Sequence, residues 1–326
     1  MPAVFFAPSG TTVSATKVLP MRTSRLSRLL ACGLLALSAS IAQAAPIDID
    51  DGQHKVHLPN APKRVVVLEF SFLDGLASVG VTPVGAADDG DANRVLPKVR
   101  KAVGEWQSVG LRSQPNIEVI ARLKPDLIIA DLGRHQALYN DLASLAPTLM
   151  LPSRGEDYEG SLKSAELIGV ALGKAPQMQA RIAENRKHLK EVAAQVPANT
   201  KALFGVARED SFSVHGPHSY AGSVLQAIGL QVPEVRKNAA PTEFVSLEQL
   251  LALDPGWLLV GHYRRPSIVD TWSKQPLWQV LSAVRNKQVA EVDGDSWARN
   301  RGIMASEQIA DDTLAILKGG KAVLNP

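Results

Sequence analysis

The chain has 326 residues, of which 45% are apolar and 21% are charged, a composition typical of soluble globular proteins. Four of its 35 basic residues and none of its 32 acidic residues lie in the first 44 positions, which leaves 31 basic against 32 acidic residues in the remainder. Because this balance is even and no lysine-rich run follows, the sequence argues against a nucleic-acid partner.

The first predicted element is a leader over residues 1–44, in which residues 21–44 have the pattern of a secretory signal peptide. Three arginines precede an apolar run over residues 29–39, and Ala42-Gln43-Ala44 is a small-x-small cleavage motif. We expect the mature chain to start at Ala45. No later apolar stretch is long enough to span a bilayer, so the mature protein is predicted to be soluble and outside the cytoplasm.

The single cysteine, Cys32, lies inside this leader, so the mature chain can form no disulfide. Lipid attachment at Cys32 is the alternative to cleavage before Ala45. Leu30 is bulky for a lipidation signal, and the cleavage motif downstream favours an ordinary signal peptide.

The first lobe is predicted over residues 45–174 and alternates strands with helices. A polar hairpin-like start is followed by strands over residues 64–68, 84–87, 127–130 and 148–151, with helices over 72–80 and about 135–145. This alternation is typical of a mainly parallel sheet.

A repeated segment links the two halves of the chain. Residues 116–134 (NIEVIARLKPDLIIADLGR) align without a gap with residues 246–264 (SLEQLLALDPGWLLVGHYR). In each copy an amphipathic helix with an early glutamate, Glu118 or Glu248, stops at a proline, and a short apolar strand then ends at an arginine, Arg134 or Arg264. The repeat therefore predicts two similar α/β lobes.

A long helical tract over residues 160–196, interrupted at 173–176, separates the two copies. Its second part, residues 175–197, is predicted to be the connecting helix between the lobes. Because a helix is stiffer than a flexible linker, we expect only modest hinge motion. The second lobe is predicted over residues 198–326, with strands at 202–207, 257–261 and 288–292 and helices at 219–228 and 305–318.

Arginine and aromatic residues dominate the loops at the predicted strand ends, where open α/β sheets bind their ligands. The candidate ligand-binding residues are Arg134, Arg208, Arg264, Arg299, Arg301, Tyr220, Tyr263, Trp106 and Trp297. A guanidinium is a planar fork of donors that stays charged, so several of them suit a small ligand with multiple carboxylates. The alternative is that the arginines are solvated and that the aromatic side chains cap a core.

Two histidine pairs, His54 with His57 and His215 with His218, are the only candidates for direct metal ligation. Neither has a third histidine at suitable spacing, and the mature chain has no cysteine, so we expect no metal bound directly by protein side chains and no cofactor. The sequence also lacks the G-x-S-x-G, Walker A and G-x-G-x-x-G motifs, which favours a binding protein over an enzyme.

Glu118 and Glu248 lie near the starts of their predicted helices. A carboxylate there interacts favourably with the helix dipole, which gives both residues a purely structural role. Their equivalent positions on two lobes allow a second role, as a symmetric pair of surface acids that dock on basic pockets of a two-subunit partner.

Five stretches of the chain resemble the siderophore and cobalamin group of ABC-transporter solute-binding proteins, and within it the branch that binds iron(III) dicitrate. They are PKRVVVLEFSFLDGLASVGVTPVGAADD, WQSVG, QPNIEVIARLKPDLIIAD, SLEQLLALDPGWLLVGHYR and DSWARNRGI. The similarity runs over nearly the whole mature chain.

The resemblance implies two Rossmann-like lobes bridged by one long rigid helix, with the ligand in the cleft between them. It implies that Glu118 and Glu248 match the family's paired acids, which meet arginines on the two permease subunits. It places Arg134 and Arg264 at loop positions that face the ligand in related siderophore binders. Tyr220 departs from the pattern, since some relatives have an arginine there.

The sequence thus predicts a monomeric periplasmic receptor that captures ferric citrate and delivers it to an inner-membrane ABC permease for iron uptake. Iron would reach the protein already coordinated by citrate, so that arginines need only bind the outer oxygens. Another ferric siderophore or a metal-free polycarboxylate is the alternative ligand. A periplasmic hydrolase on the same scaffold is the alternative function.

Overall fold

The computed structural model describes residues 46–324, so the predicted leader and Cys32 lie outside the described residues. These residues belong to one compact unit. Within residues 46–324 no helix has the length and apolar character needed to cross a membrane.

The first lobe, residues 46–171, is built on a parallel sheet. Its strands are β1 (Ile47–Asp50), β2 (Lys55–Leu58), β3 (Val65–Val67), β4 (Gly85–Ala86), β5 (Gln107–Ser108), β6 (Gly110–Leu111), β7 (Gln114–Pro115), β8 (Leu127–Asp131) and β9 (Thr148–Leu151). Two pairs, β1 with β2 and β6 with β7, form small antiparallel hairpins. The other five strands form one sheet in the order β5-β4-β3-β8-β9, and every pairing in it is parallel.

Helices cover this sheet on both faces. They are α1 (Phe70–Ser78), α2 (Pro97–Val103), α3 (Ile117–Leu123), α4 (Leu132–His135), α5 (Tyr139–Leu145) and α6 (Tyr158–Ala171). The central strands β3 and β8 are buried along their whole length, as expected for apolar runs in a parallel sheet with both faces covered.

The first copy of the repeat shows how local sequence sets an element. The Asn116 side chain accepts a hydrogen bond from the Val119 N–H and begins α3. The helix ends at Lys124, which has a left-handed backbone with φ of 46°, and Pro125 follows. Strand β8 then starts at Leu127, as the sequence predicts.

Helix α7 (Ala175–Ala193) joins the two lobes. It is separated from α6 by a turn in which Gly173 has a φ of +65°, and Pro176 occupies its first turn. It buries one stripe, which includes Met178, Ile182 and Leu189, and leaves its other face in solvent.

The second lobe, residues 202–317, has a mixed sheet. Its strands are β10 (Ala202–Ala207), β11 (Phe212–His215), β12 (Thr242–Val245), β13 (Trp257–His262) and β14 (Val289–Val292). The order is β12-β11-β10-β13-β14, in which β10, β13 and β14 are parallel and β11 runs antiparallel to both of its neighbours. Its helices are α8 (Tyr220–Ala227), α9 (Leu247–Leu253), α10 (Ile268–Trp272), α11 (Pro276–Gln279), α12 (Ser282–Arg285), α13 (Gly294–Ala298) and α14 (Ile303–Leu317).

The predicted two-lobe α/β architecture with a connecting helix is confirmed, with one difference in the second sheet. The sequence predicts no strand at β11 or β12. A tight turn, in which the Arg208 N–H donates to the Ser211 carbonyl, reverses the chain after β10 and makes β11 an antiparallel partner.

One apolar core extends through both lobes and the connecting helix. It contains Phe72 of α1, Met178 of α7, Phe204 of β10 and Ile309 of α14. Because this core is continuous, moving one lobe against the other would open a packed interior. The architecture therefore favours a nearly fixed cleft.

Candidate functional site

A cavity of about 410 Å³ lies between the lobes, near the carboxyl ends of β8, β10 and β13. Both lobes line it, chiefly with basic and aromatic side chains. The lining includes Arg112, Arg134, Arg154 and Glu156 of the first lobe and Arg208, His215, Tyr220, Tyr263, Trp297, Arg299 and Arg301 of the second.

Asp131, at the end of β8, holds two of the arginine-bearing segments. Its side chain is fully buried, and Oδ1 accepts a hydrogen bond from the Arg134 N–H at 2.8 Å. Oδ2 accepts from the Ser153 N–H at 2.9 Å and the Arg154 N–H at 3.1 Å. A single buried carboxylate thus fixes the backbone from which Arg134 and Arg154 enter the cavity.

His135 fixes a third segment. Its Nδ1 accepts a hydrogen bond from the Asp131 N–H at 2.9 Å, so Nε2 carries the proton and donates to the Arg112 carbonyl at 2.7 Å. Burial lowers the pKa of His135 and keeps the ring neutral. His135 therefore positions Arg112 without adding charge to the cavity.

Glu69, directly before α1, lies beneath the arginines and is ion-paired with three of them. Its side chain is fully buried, and its oxygens lie 3.3 Å from Arg112 Nη1, 2.5 Å from Arg134 Nε and 3.7 Å from Arg301 Nη2. The contact with Arg134 lacks the angle of a hydrogen bond, so it is an ion pair only. Because Arg301 comes from the second lobe, Glu69 joins cations from both lobes.

The other partners of these arginines differ. Arg112 is also paired with Asp89, at 2.7 Å, and its guanidinium stacks 3.8 Å from the centre of the Phe70 ring. Arg301 is ion-paired with Glu69 and donates a hydrogen bond to the Ala298 carbonyl at 3.2 Å. Its pKa is lowered by burial first and also by the neighbouring Arg112 and Arg134 cations. An anion in the cavity would relieve this repulsion.

The second lobe contributes a stack around Tyr263. The Arg208 and Arg299 guanidinium groups lie 5.0 Å and 4.1 Å from the ring centre. Arg208 also donates to Ser213 Oγ at 3.1 Å, and Arg299 is closely paired with Asp295. These contacts hold both arginines at the cavity wall.

His215 lines the same wall as a neutral ring. Burial lowers its pKa to about 3, and the nearby Arg301 and Arg208 act in the same direction. His218, in contrast, is exposed to solvent and lies 3.3 Å from Glu234. The two histidines therefore lie in different environments. Within residues 46–324 no group of three or more His, Asp or Glu side chains is arranged to hold a metal ion.

Seven of the nine candidate residues line the cavity, and two do not. Arg264 is exposed and faces Glu209 at 3.5 Å. The Trp106 indole donates to Asp88 at 3.2 Å and is also outside the lining. The structure therefore gives no support to a ligand contact by Arg264 or Trp106.

Tyr220 and Trp297 line the cavity, but their polar groups form hydrogen bonds within the protein. The Tyr220 hydroxyl donates to the Gly302 carbonyl, and Trp297 is fully buried with its Nε1 donating to Asp312 at 3.0 Å. Both residues shape the cavity more than they offer donors to a ligand.

Arg112, Arg154, Glu156 and Glu69 are absent from the sequence prediction. The strand-end rule, applied to the predicted strand over residues 148–151, would have found Arg154 and Glu156. Arg112 follows the short β6 strand, and Glu69 is placed by its buried position before α1, so neither has a local sequence signal.

Six arginines line the cavity. Five carboxylates, those of Glu69, Asp89, Asp131, Glu156 and Asp295, line it or contact these arginines, which leaves positive charge in excess. In a partly buried cavity this excess strongly favours an anionic ligand. Its donor groups suit carboxylate oxygens.

Glu118 and Glu248 lie away from the cavity, exposed in the first turns of α3 and α9. The Ser246 hydroxyl lowers the pKa of Glu248 and keeps it ionised. Within residues 46–324 neither carboxylate has an ion-pair partner, so both are available on the surface.

The chain matches known proteins over most of its length. The family described as "Periplasmic binding protein" matches residues 65–296. The Fe(3+) dicitrate-binding periplasmic protein FecB of Escherichia coli (strain K12) is 48% identical over 289 residues, or 89% of this chain and 95% of FecB. The Fe(3+)-citrate-binding protein YfmC of Bacillus subtilis (strain 168) is 42% identical over 268 residues, or 82% of this chain and 84% of YfmC.

A solved structure shares the fold. Staphylococcus aureus SirA complexed with staphyloferrin B superimposes with a TM-score of 0.74 at 24% sequence identity, covering 83% of this chain and 98% of SirA. This likeness shows the two-lobe architecture.

Proposed function

The chain belongs to the periplasmic binding protein family, and we propose that it captures ferric citrate in the periplasm and delivers it to an ABC importer in the inner membrane. The family and fold are those of substrate-binding proteins, not of enzymes. The observation that carries the proposal is the interlobe cavity with six arginines and an excess of positive charge.

The ligand chemistry explains why arginines line a site for iron. Citrate surrounds Fe³⁺ with carboxylate and hydroxyl oxygens, and two citrate ions bring more negative charge than the metal brings positive charge. The complex is therefore anionic and already coordinated. Arginines such as Arg134 and Arg301 would bind its outer carboxylate oxygens, and each charge-assisted hydrogen bond contributes roughly 1.5–3 kcal/mol.

A fluorescence titration tests the ligand. The protein starting at Ala45 is titrated in parallel with ferric citrate, iron-free citrate, a ferric hydroxamate and zinc, using the change in tryptophan emission, because Trp297 lines the cavity. We expect saturable quenching by ferric citrate alone. Selective binding of the hydroxamate would instead indicate another ferric siderophore, and no response to any iron chelate would contradict the proposal.

Delivery requires a docking surface, for which we propose Glu118 and Glu248. Both are exposed at equivalent positions of the repeat, one on each lobe, as a monomeric receptor needs for a permease with two subunits. Replacing both by glutamine should abolish iron transport while leaving the affinity for ferric citrate unchanged. Loss of ligand binding in this variant would contradict the docking role.

A further inference from the structure

A groove with apolar walls and an acidic rim opens on the second lobe beside Glu248. It has a volume of about 510 Å³ and lies between the edge strand β12, the start of α9 and α10. Trp272 and Ile268 of α10 line one side, and Phe244 of β12 lines the other. The groove is separate from the arginine-lined cavity.

Phe244 is the most exposed large apolar side chain within residues 46–324, at 67% of its full accessible surface. Aromatic rings of this size are usually buried in a core or an interface. The ring stands on the edge strand β12 and belongs to none of the apolar core clusters. A binding role accounts for its exposure.

The charges around the groove define the partner. Glu248 and Asp210 line it, and no lysine or arginine does. The Ser246 hydroxyl lowers the pKa of Glu248 and keeps the carboxylate ionised at this rim. A complementary partner presents one apolar side chain for the groove and a basic side chain for Glu248.

The position of the groove points to the importer as that partner. Phe244 lies 5.7 Å from the Arg208 guanidinium, and Arg208 lines the ligand cavity. A protein bound over Phe244 therefore sits next to the cavity, as a protein that receives the ligand must.

We propose that the permease of the importer inserts an apolar side chain into this groove, with Phe244 as the receptor's anchor, next to the basic group that meets Glu248. The inference rests on the proposed delivery function. It adds a hydrophobic contact on the second lobe to the pair of surface acids.

The test compares Phe244→Ala with Val280→Ala, a matched control on the same lobe. Val280 is 50% exposed and lies outside the groove. The permease and ATPase subunits from the same organism are placed in lipid nanodiscs, and docking of ferric-citrate-loaded receptor is measured by surface plasmon resonance. Phe244→Ala should weaken docking by about tenfold or more, as for an aromatic anchor at an interface, and Val280→Ala should stay within about twofold.

Two further measurements separate the outcomes. Each variant should keep the wild-type affinity for ferric citrate in solution. A loss of this affinity in Phe244→Ala would overturn the docking role of the groove, because it would assign the ring to the ligand site. If Glu248→Ala loses docking but Phe244→Ala does not, the proposed docking in the groove is wrong, while the delivery function stands. A wild-type receptor that binds ferric citrate but does not dock overturns both.

Discussion

The carboxylate of Asp74, on α1 of the first lobe, accepts a hydrogen bond from the backbone N–H of Ala305, on α14 of the second lobe, at 3.0 Å. It also accepts from the Met304 N–H at 3.1 Å. The N-cap residue of helix α14 is Gly302, which has no side chain to cap the helix. Asp74 therefore supplies, from the other lobe, the acceptor that an N-cap residue usually provides.

Stability should depend on pH through Asp74. Burial raises the pKa of Asp74 from 3.8 to about 6, so the folded protein binds this proton more tightly than the unfolded chain does. The resulting stabilisation is fully present below pH 3.8 and is lost as the pH rises through about 6. Between these two pH values the contribution of Asp74 to the free energy of unfolding should fall by roughly 3 kcal/mol.

Urea unfolding of the wild type and Asp74→Asn at several pH values measures this contribution. The variant lacks the titrating group, so the wild type should lose stability relative to it as the pH rises from 4 to 7. Parallel pH profiles would show that the Asp74 carboxyl titrates normally.

Replacing a cavity arginine should weaken ligand binding, whereas replacing Arg264 should not. Arg134→Ala and Arg301→Ala should each raise the Kd for ferric citrate about tenfold or more, because each removes a charge-assisted hydrogen bond. Arg264→Ala is the matched control, since its side chain is 76% exposed and faces Glu209. Isothermal titration calorimetry gives all three dissociation constants. An equal loss of affinity in Arg264→Ala would contradict the assignment of the cavity as the ligand site.

Glu69→Gln should weaken the fold more in the absence of ligand than in its presence. The buried carboxylate compensates three arginines, so its removal should cost about 3–5 kcal/mol when no anion is bound. Ferric citrate would then replace part of the missing negative charge. The rise in Tm on adding ferric citrate should therefore be larger in the variant than in the wild type.

Thermal unfolding with and without ferric citrate tests this. A ligand-induced rise in Tm that is smaller than that of the wild type would mean that Glu69 serves binding mainly by orienting the arginines.

Tyr263 should matter as a ring and not as a hydroxyl. It stacks against Arg208 and Arg299, and such contacts contribute about 0.5–2 kcal/mol each. Tyr263→Phe preserves both contacts and should bind ferric citrate like the wild type, whereas Tyr263→Leu should raise the Kd several-fold. Indistinguishable fluorescence titrations of these two variants would remove Tyr263 from the binding machinery.

The repeat predicted its own secondary structure closely because the signals are local. The sequence places strands over residues 127–130 and 257–261, and the structure has β8 at Leu127–Asp131 and β13 at Trp257–His262. Helix caps, prolines and apolar runs all lie within these short segments. No distant residue is needed to specify them.

The two copies of the repeat place their arginines differently, and the reason lies three residues before Arg264. Asp131 caps α4 and holds Arg134 at the cavity, but the equivalent position in the second copy is Gly261. A Cβ at Gly261 would lie 2.7 Å from the Cα of Gly294, so the close packing of α13 excludes a carboxylate there. The next helix begins only at Ile268, and Arg264 is left on an exposed loop.

Glu69 and Arg112 could not be found in this way because their roles depend on the tertiary structure. Glu69 is 43 residues from Arg112 and meets Arg301 from the other lobe. A buried glutamate among arginines becomes recognisable only when the two lobes are assembled.

The apolar core shared by both lobes also bears on how the protein is made. The last helix, α14, contributes Ile303, Ile309 and Ile316 to the core that includes Phe72 of the first lobe. The interior of the first lobe is therefore complete only when residues more than 200 positions later in the chain are present. A chain interrupted before Ile303 would lack these core residues, and the exposed apolar interior of its first lobe would make it prone to aggregation and proteolysis.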